Sequence, residues 1–498
     1  MKKTVWGLAT IIDLDRGSHI PLYRQLYDSL RQAILTGQLQ PGQRLPATRD
    51  LSVELGISRN TALNALDQLL AEGYLESRVG SGTYVTHAIP EQALHARRLA
   101  TKPARSTAKP PVLSRYTSAL TKSPLSLSPV QGPIHAFQLG IPGALEAPQL
   151  ALWSRLTARV CRDPMTLARG YSEAMGFGAL REAIATYLRT ARGVNCEADR
   201  IIIVNGSQQA LDLVARVLLN QGDTAWVEDP GYPGVWSVLA GQGVEIIPVP
   251  VDRQGLRVEA GLELAPRPKL VYVTPSNQFP LGVTMSLTRR LQLLESVTGS
   301  GAWILEDDYD SEYRYSGRPL GSLQGIDSTG KVIYVGTFSK VLTPGLRLGY
   351  LVIPHELVDA FVSAKTSCDR GSPQIEQAVL ASFIEEGHFG RHIRRTRLTY
   401  QARRDVLVAA AANKLKGLLD IEPQESGMHL IGWLPQRTSD RAASTRAAQA
   451  GVYADPLSHF TVRAQIRPGL ILGFAAFDEK EILRGVHLLA KALSSKHK

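Results

Sequence analysis

Cysteine is scarce, long apolar runs are missing, and no repeat at solenoid spacing is present. Three cysteines, Cys161, Cys196 and Cys368, lie far apart in a chain of 498 residues. An odd, scattered set excludes a disulfide framework and matches no zinc-ligand spacing, so no metal is expected. No apolar stretch approaches the ~20 residues that a membrane-spanning helix requires. Behind Lys2 and Lys3, the run from Val5 to Ile12 is too short and too interrupted for a secretory leader. The expected setting is the cytoplasm, with no membrane partner. Disorder is excluded as well: 44% hydrophobic and 20% charged residues suit a globular protein. A chain of this length exceeds one ordinary core and implies two or three domains.

The net charge of +11 is unevenly placed. Residues 1–90 hold nine Lys/Arg against eight Asp/Glu, whereas residues 91–130 hold seven against one. The excess therefore sits in a connector, where it either raises affinity for a phosphate backbone or is incidental charge on a solvated linker. The connector is rich in Pro, Ser, Thr and Ala, with Pro103, Pro110, Pro111, Pro124 and Pro129 and no sustained periodicity. These shifts divide the chain into residues 1–86, a flexible basic linker over 87–135, and a large domain over 136–498.

In the first segment, Tyr23, Leu26, Tyr27, Leu30 and Ile34 recur at helical spacing, and Gly37 with Pro41-Gly42 closes that helix. Thr48 is expected to cap a second helix that Gly56 stops, and Ser58 to cap a third that turns Ala62, Leu66, Leu69 and Leu70 inward. Tyr74–Glu76 and Thr83–Val85 read as strands around Gly80-Ser81-Gly82, a hairpin tip where glycine permits positive φ. Two helices joined by a three-residue turn and followed by a hairpin form a winged helix-turn-helix, whose third helix enters the major groove of double-stranded DNA. Small three-helix units also bind proteins. If DNA is the partner, Ser58, Arg59, Asn60 and Thr61 are the candidate readers, Arg44 and Arg49 sit where phosphate contacts are natural, and Arg78 lies on the wing.

The large domain alternates strand-like runs (200–204, 270–273, 302–305, 332–335) with helical stretches, the pattern of an α/β fold with a largely parallel sheet. A pyridoxal phosphate site needs a lysine for the imine, a carboxylate opposite the pyridine nitrogen, a phosphate cradle and an aromatic face. GTFSK at 336–340 puts Lys340 at the end of a strand; alone, such a lysine is ordinarily a solvated charge. Seven residues on, Arg347 lies in PGLRLGY, able to bind phosphate together with the hydroxyls of Thr337 and Ser339. EDDY at 306–309 offers Asp307 for the ring nitrogen and Tyr309 for the phenolic oxygen. Gly206, Ser207 and Gln208 open a helix directly after a strand and form either an anion site or a plain cap. Tyr232, in DPGYPG, either stacks on the ring or simply packs.

The segments PLYRQL (21–26), LQPGQRLPATRDL (39–51), GISRNT (56–61) and EGYLESRVGSGTYV (72–85) resemble the GntR-type winged helix over about 65 residues. In that family the readers lie at the start of the recognition helix and the wing probes the minor groove, which implies Arg49, Ser58, Arg59, Thr61 and Gly80. From about residue 137 onward the chain resembles a fold type I aminotransferase, with a mostly parallel large domain and a small C-terminal α/β subdomain. As a whole it is similar to the MocR/GabR family. That resemblance implies pyridoxal 5'-phosphate on Lys340, Asp307 at the ring nitrogen, Tyr309 at the phenolic oxygen, Arg347 with Ser207 and Gln208 at the phosphate, and Tyr232 on the ring. It also implies a head-to-tail homodimer.

Two departures stand out. Aminotransferases carry Asn-Pro-x-Gly, whereas this chain reads TPSNQFPLG at 274–282, leaving Asn277 to act instead. Their arginine for the substrate carboxylate precedes a Phe in a C-terminal strand, but ILGF at 471–474 lacks it, and Arg467 is the nearest substitute. The expected function is a transcription regulator that senses an amine or amino acid, its turnover subordinate to sensing. The competing readings are a working aminotransferase with an accessory winged helix, and a regulator for which the cofactor itself is the signal.

Overall fold

The computed structural model describes residues 8, 12–78, 81–87, 112–122, 135–143, 145–163, 173–317 and 321–494. The chain divides into two compact units, residues 1–111 and 112–498. Gly80 and most of the stretch read as a linker lie outside the described residues.

The first unit contains α1 (Leu22–Leu35), α2 (Thr48–Glu54) and α3 (Arg59–Ala71), followed by β1 (Leu75–Arg78) and β2 (Gly82–Val85) paired antiparallel. Leu26, Tyr27, Leu30 and Ile34 of α1 close on Leu51 of α2 and on Ala62, Leu66 and Leu69 of α3, as the helical period requires. Ser58 caps α3, its Oγ accepting from the Thr61 N–H at 3.1 Å. Thr48 does not cap α2. It is the first helical residue, and Ala47 stands at the cap position without a side-chain bond.

The second unit is built on an eight-stranded sheet in the order β3-β10-β9-β8-β7-β4-β5-β6. Its strands are β3 (Ile201–Val204), β4 (Thr224–Asp229), β5 (Glu245–Asp252), β6 (Gly255–Leu256), β7 (Leu270–Val273), β8 (Trp303–Asp308), β9 (Val332–Thr337) and β10 (Gly349–Val352). The central strands are parallel; β10 runs antiparallel to both β3 and β9, so β3 points the same way as β9. Alternate side chains face opposite layers. Leu305, Ile333 and Leu351 pack with Leu211 and Val214 of the helix Ser207–Leu218, while Ile304 and Val332 pack with Leu293 and Val297 of the helix Leu287–Thr298. A second sheet, β11 (Asp420–Ile421), β12 (His429–Trp433), β13 (Asp455–Pro456) and β14 (Gly469–Gly473) in the order β11-β12-β14-β13, forms the small C-terminal subdomain.

The connector is not featureless. Arg115–Lys122 is a helix of the second unit and packs against the helix Pro233–Gln242, where a side chain at Gly241 would strike the Tyr116 ring. One amphipathic turn pair inside a Pro- and Ser-rich stretch gives too little periodic signal to separate it from its surroundings.

Candidate functional site

At the start of α3, Ser58, Arg59 and Asn60 are exposed and Thr61 is half-buried. Ser58 is committed to its cap, and its hydroxyl also meets that of Thr61 at 2.8 Å, so these two side chains order the helix start. Arg59 and Asn60 project freely from the first turn. Arg49 is exposed on α2. Arg44 bridges to Tyr84 of the wing, and its guanidinium lies beside Gly82. Arg78 bonds Glu76 at 3.0 Å and covers the Tyr84 ring at 4.9 Å, so it braces the wing as well as charging it.

In the second unit, the C-terminal ends of β3, β8 and β9 share one edge of the sheet and deliver their following residues to a cavity of about 1020 Å³. This is where open α/β sheets place ligands. Ser207, Gln208, Tyr232, Asp307, Tyr309, Thr337, Ser339, Lys340 and Arg347 all line it. Residues spread over 140 positions of sequence therefore line one space.

Lys340 is half-buried, and its Nζ donates to the carbonyl of Gly140 at 2.8 Å. Burial lowers its pKa, against the opposing pull of Asp310 and Asp307. The depression thus comes from desolvation and not from a cationic neighbourhood. Asp307 is buried at the end of β8; its Oδ2 accepts from the Tyr272 hydroxyl at 2.8 Å, while its Oδ1 has no partner. Burial pushes this carboxyl up to about 6. An orphaned buried oxygen costs stability unless a donor arrives, and a pyridinium N–H is such a donor. Beneath it, Glu228 and Glu306 are pushed by burial to about 7, and Asp308 is held by a buried ion pair with Arg192 at 2.9 Å.

Gly206 precedes the helix Ser207–Leu218 with φ of 87°, and the Arg347 guanidinium lies about where a Gly206 side chain would point. Arg347 itself adopts φ of 50° at the end of a short turn and donates to the Asn205 carbonyl at 3.1 Å. The free N–H groups of the helix start, the arginine, Thr337 and the unpartnered Ser339 hydroxyl form a cradle of donors for a phosphate. Gln208 leans on the Gly234 carbonyl at 3.0 Å and approaches the Tyr232 hydroxyl. These features fit pyridoxal phosphate: amine, carboxylate acceptor, aromatic wall and anion cradle surround one space.

Two expected residues are placed differently. Asn277 does not line the cavity: its Nδ2 is shared between Asp310 and the Tyr309 hydroxyl, the latter at 3.1 Å, so it sets the tyrosine from behind. Arg467 is not in the site at all. It precedes β14, bonds the Leu434 carbonyl at 2.9 Å and pairs with Asp420 of the edge strand β11. Sequence reasoning passed over Gly140, Tyr272, His429 and Asp455, which also border the cavity or its carboxylate. Tyr272 and His429 lie within apolar strands and read as core.

None of the described helices is long and apolar enough to cross a membrane. Comparison with known proteins finds two family models. Residues 22–85 match the gntR family of bacterial regulatory proteins, and residues 162–489 match aminotransferase class I and II. Among curated relatives, the "probable rhizopine catabolism regulatory protein MocR" of Rhizobium meliloti is 41% identical over 96% of this chain and 95% of its own. The "HTH-type pyridoxine biosynthesis transcriptional regulator PdxR" of Corynebacterium glutamicum is 31% identical over 91% of this chain and 92% of its own. Among solved structures, the α-aminoadipate aminotransferase LysN of Thermus thermophilus, complexed with N-(5'-phosphopyridoxyl)-L-leucine, is 29% identical, with a TM-score of 0.66 over 76% of this chain and 94% of its own.

Proposed function

The chain belongs to the MocR-type regulators, in which a GntR winged helix is joined to an aminotransferase domain that binds pyridoxal 5'-phosphate, and we propose that it uses this cofactor to sense a small amine and so alter its grip on DNA. The observation that carries the reading is the convergence of Lys340, Asp307 and the Gly206–Arg347 cradle on one cavity that is large enough for a second small molecule beside the cofactor.

Pyridoxal phosphate, when bound, supplies an aldehyde carbon for which Lys340 and an incoming primary amine compete. The chain's own residues set the terms of that competition. Burial lowers the Lys340 pKa and so enlarges the neutral, nucleophilic fraction of its amine. Asp307 would hold a proton on the ring nitrogen, Arg347 with Ser207, Thr337 and Ser339 would anchor the phosphate, and Tyr232 would offer its ring as an aromatic wall. Tyr309, set by Asn277, would hydrogen-bond the ring's phenolic oxygen. An amine that occupies the cavity acts on DNA binding only if it prefers one arrangement of the protein over another. In that scheme Arg59 and Asn60 contact base edges of double-stranded DNA, Arg44 and Arg49 contact phosphates, and the chain works in the cytoplasm as a head-to-tail homodimer.

Operator affinity of the cofactor-loaded chain, measured with and without candidate amines, tests this reading directly. The unaltered chain is expected to shift its affinity and Lys340→Ala to hold DNA without any shift. An unchanged amine response in Lys340→Ala contradicts the sensing role.

A further inference from the structure

The part of the cavity wall contributed by the C-terminal sheet has a composition that restricts which amines it accepts. Its residues are Met428, His429, Tyr453, Asp455 and Phe460. Among the described residues lining the cavity, the lysine and arginine side chains are Lys340 and Arg347, both of which would be engaged by the cofactor. His429 adds no positive charge: burial lowers its pKa to about 4, and its Nε2 meets the Pro280 carbonyl at 2.9 Å. Arg467 is held on β11 by Asp420. At the β14 position where the sequence lacks the family's arginine, Ile471 is fully buried among Ile431, Leu457 and Phe460 and adds no charge to the cavity.

Directly across the sheet ladder from Ile471 stands Asp455 of β13. Its carboxylate is half-buried and lines the cavity, and among the described residues nothing donates a hydrogen bond to it. Burial raises its pKa, with only His459 acting against this. A second carboxylate brought to this wall would meet no lysine or arginine among the described lining residues beyond Lys340 and Arg347, only the imidazoles of His429 and of His135, which stacks on Tyr453, and would face a like charge. A hydrogen-bond donor brought to the same place would satisfy an unpartnered acceptor.

Resting on the amine-sensing reading, we propose that the effector is a primary amine without a carboxylate, carrying hydrogen-bond donors (a second ammonium or hydroxyls) at its far end, and that Asp455 receives them. The site is thereby a specificity filter against α-amino acids.

Calorimetric titration of the cofactor-loaded full chain, followed in parallel by cofactor absorbance, tests this with matched pairs: 1,4-diaminobutane against ornithine, serinol against serine, and propylamine as the plain amine. The carboxylate-free member of each pair is expected to bind at least about tenfold tighter, and Asp455→Asn to shrink the advantage of diaminobutane over propylamine by about tenfold, the scale of a hydrogen bond to a charged group. The two pairs separately report whether an ammonium or hydroxyls are preferred. Ornithine and serine binding as tightly as their partners overturns the proposal, as does an unaltered diaminobutane advantage in Asp455→Asn. The paired comparison needs no variant to fold. If no amine of any kind binds or changes the absorbance, the amine-sensing reading itself falls and takes this inference with it.

Discussion

The amine of Lys340 is held at 2.8 Å by the carbonyl of Gly140, a residue 200 positions earlier that no motif marks. Gly140 has φ of 76°, and a Cβ there would sit 2.8 Å from Nζ. Gly140→Ala is expected to displace the lysine and to add left-handed backbone strain of roughly 1–2 kcal/mol. Titration with pyridoxal phosphate, followed by absorbance, should show weaker and slower attachment while circular dichroism stays native. Unchanged attachment means that this contact does not position the amine.

Asp307 sets stability against binding. Its folded pKa of about 6 lies above the ordinary aspartate value of 3.8, so its favourable contribution is complete below about pH 4 and is lost as pH rises through 6. At pH 7.5 the apoprotein bears a burden on the order of 3 kcal/mol from this one group. Apo Asp307→Asn is therefore expected to gain stability relative to the unaltered chain between pH 4 and pH 7.5, and to bind cofactor more weakly. Denaturant titrations at the two pH values check the first part. A stability difference that is flat with pH contradicts the assignment.

The start of α3 separates two kinds of contribution. Ser58→Ala removes a helix cap and is expected to destabilise the winged helix by about 1 kcal/mol. Arg59→Ala leaves the cap intact and should cost about 1–3 kcal/mol of operator affinity if it reads a base. Arg49→Ala should instead weaken specific and non-specific DNA alike and lower the salt dependence by about one counterion. Binding isotherms at several salt concentrations distinguish these outcomes. Equal losses and equal slopes for Arg49→Ala and Arg59→Ala would remove the distinction.

The helix Arg115–Lys122 is anchored by Tyr116 on Gly241. Tyr116→Ala is expected to speed amide hydrogen exchange across 115–122 by at least about tenfold while the eight-stranded sheet keeps its protection. Unaltered exchange would show that other residues hold the helix.

What the sequence made legible follows from which interactions are local. The winged helix is written in short-range signals: apolar residues at helical spacing, the Ser58 cap, and a three-residue turn. In the large domain, strand ends carry the chemistry, so GTFSK, EDDY and GSQ announce their places once β9, β8 and β3 are recognised. Contacts fixed by long-range folding left no such trace. Gly140 reaches Lys340 from the other end of the unit, and Tyr272 and Asp307 meet across neighbouring strands. Arg467 misled because nearness in sequence to β14 says nothing of side-chain direction, and its partner Asp420 lies on the far strand of the same sheet. Asp455 occupies a two-residue strand, too short for alternation to reveal which way it faces.

The central claim is that Lys340 and pyridoxal phosphate join covalently in this cavity. Borohydride reduction of the cofactor-supplied chain, followed by peptide mass analysis, tests it most directly. A single phosphopyridoxyl adduct on Lys340 is the result this account requires. A protein that stays colourless and unlabelled, or that carries the adduct on a different lysine, contradicts it.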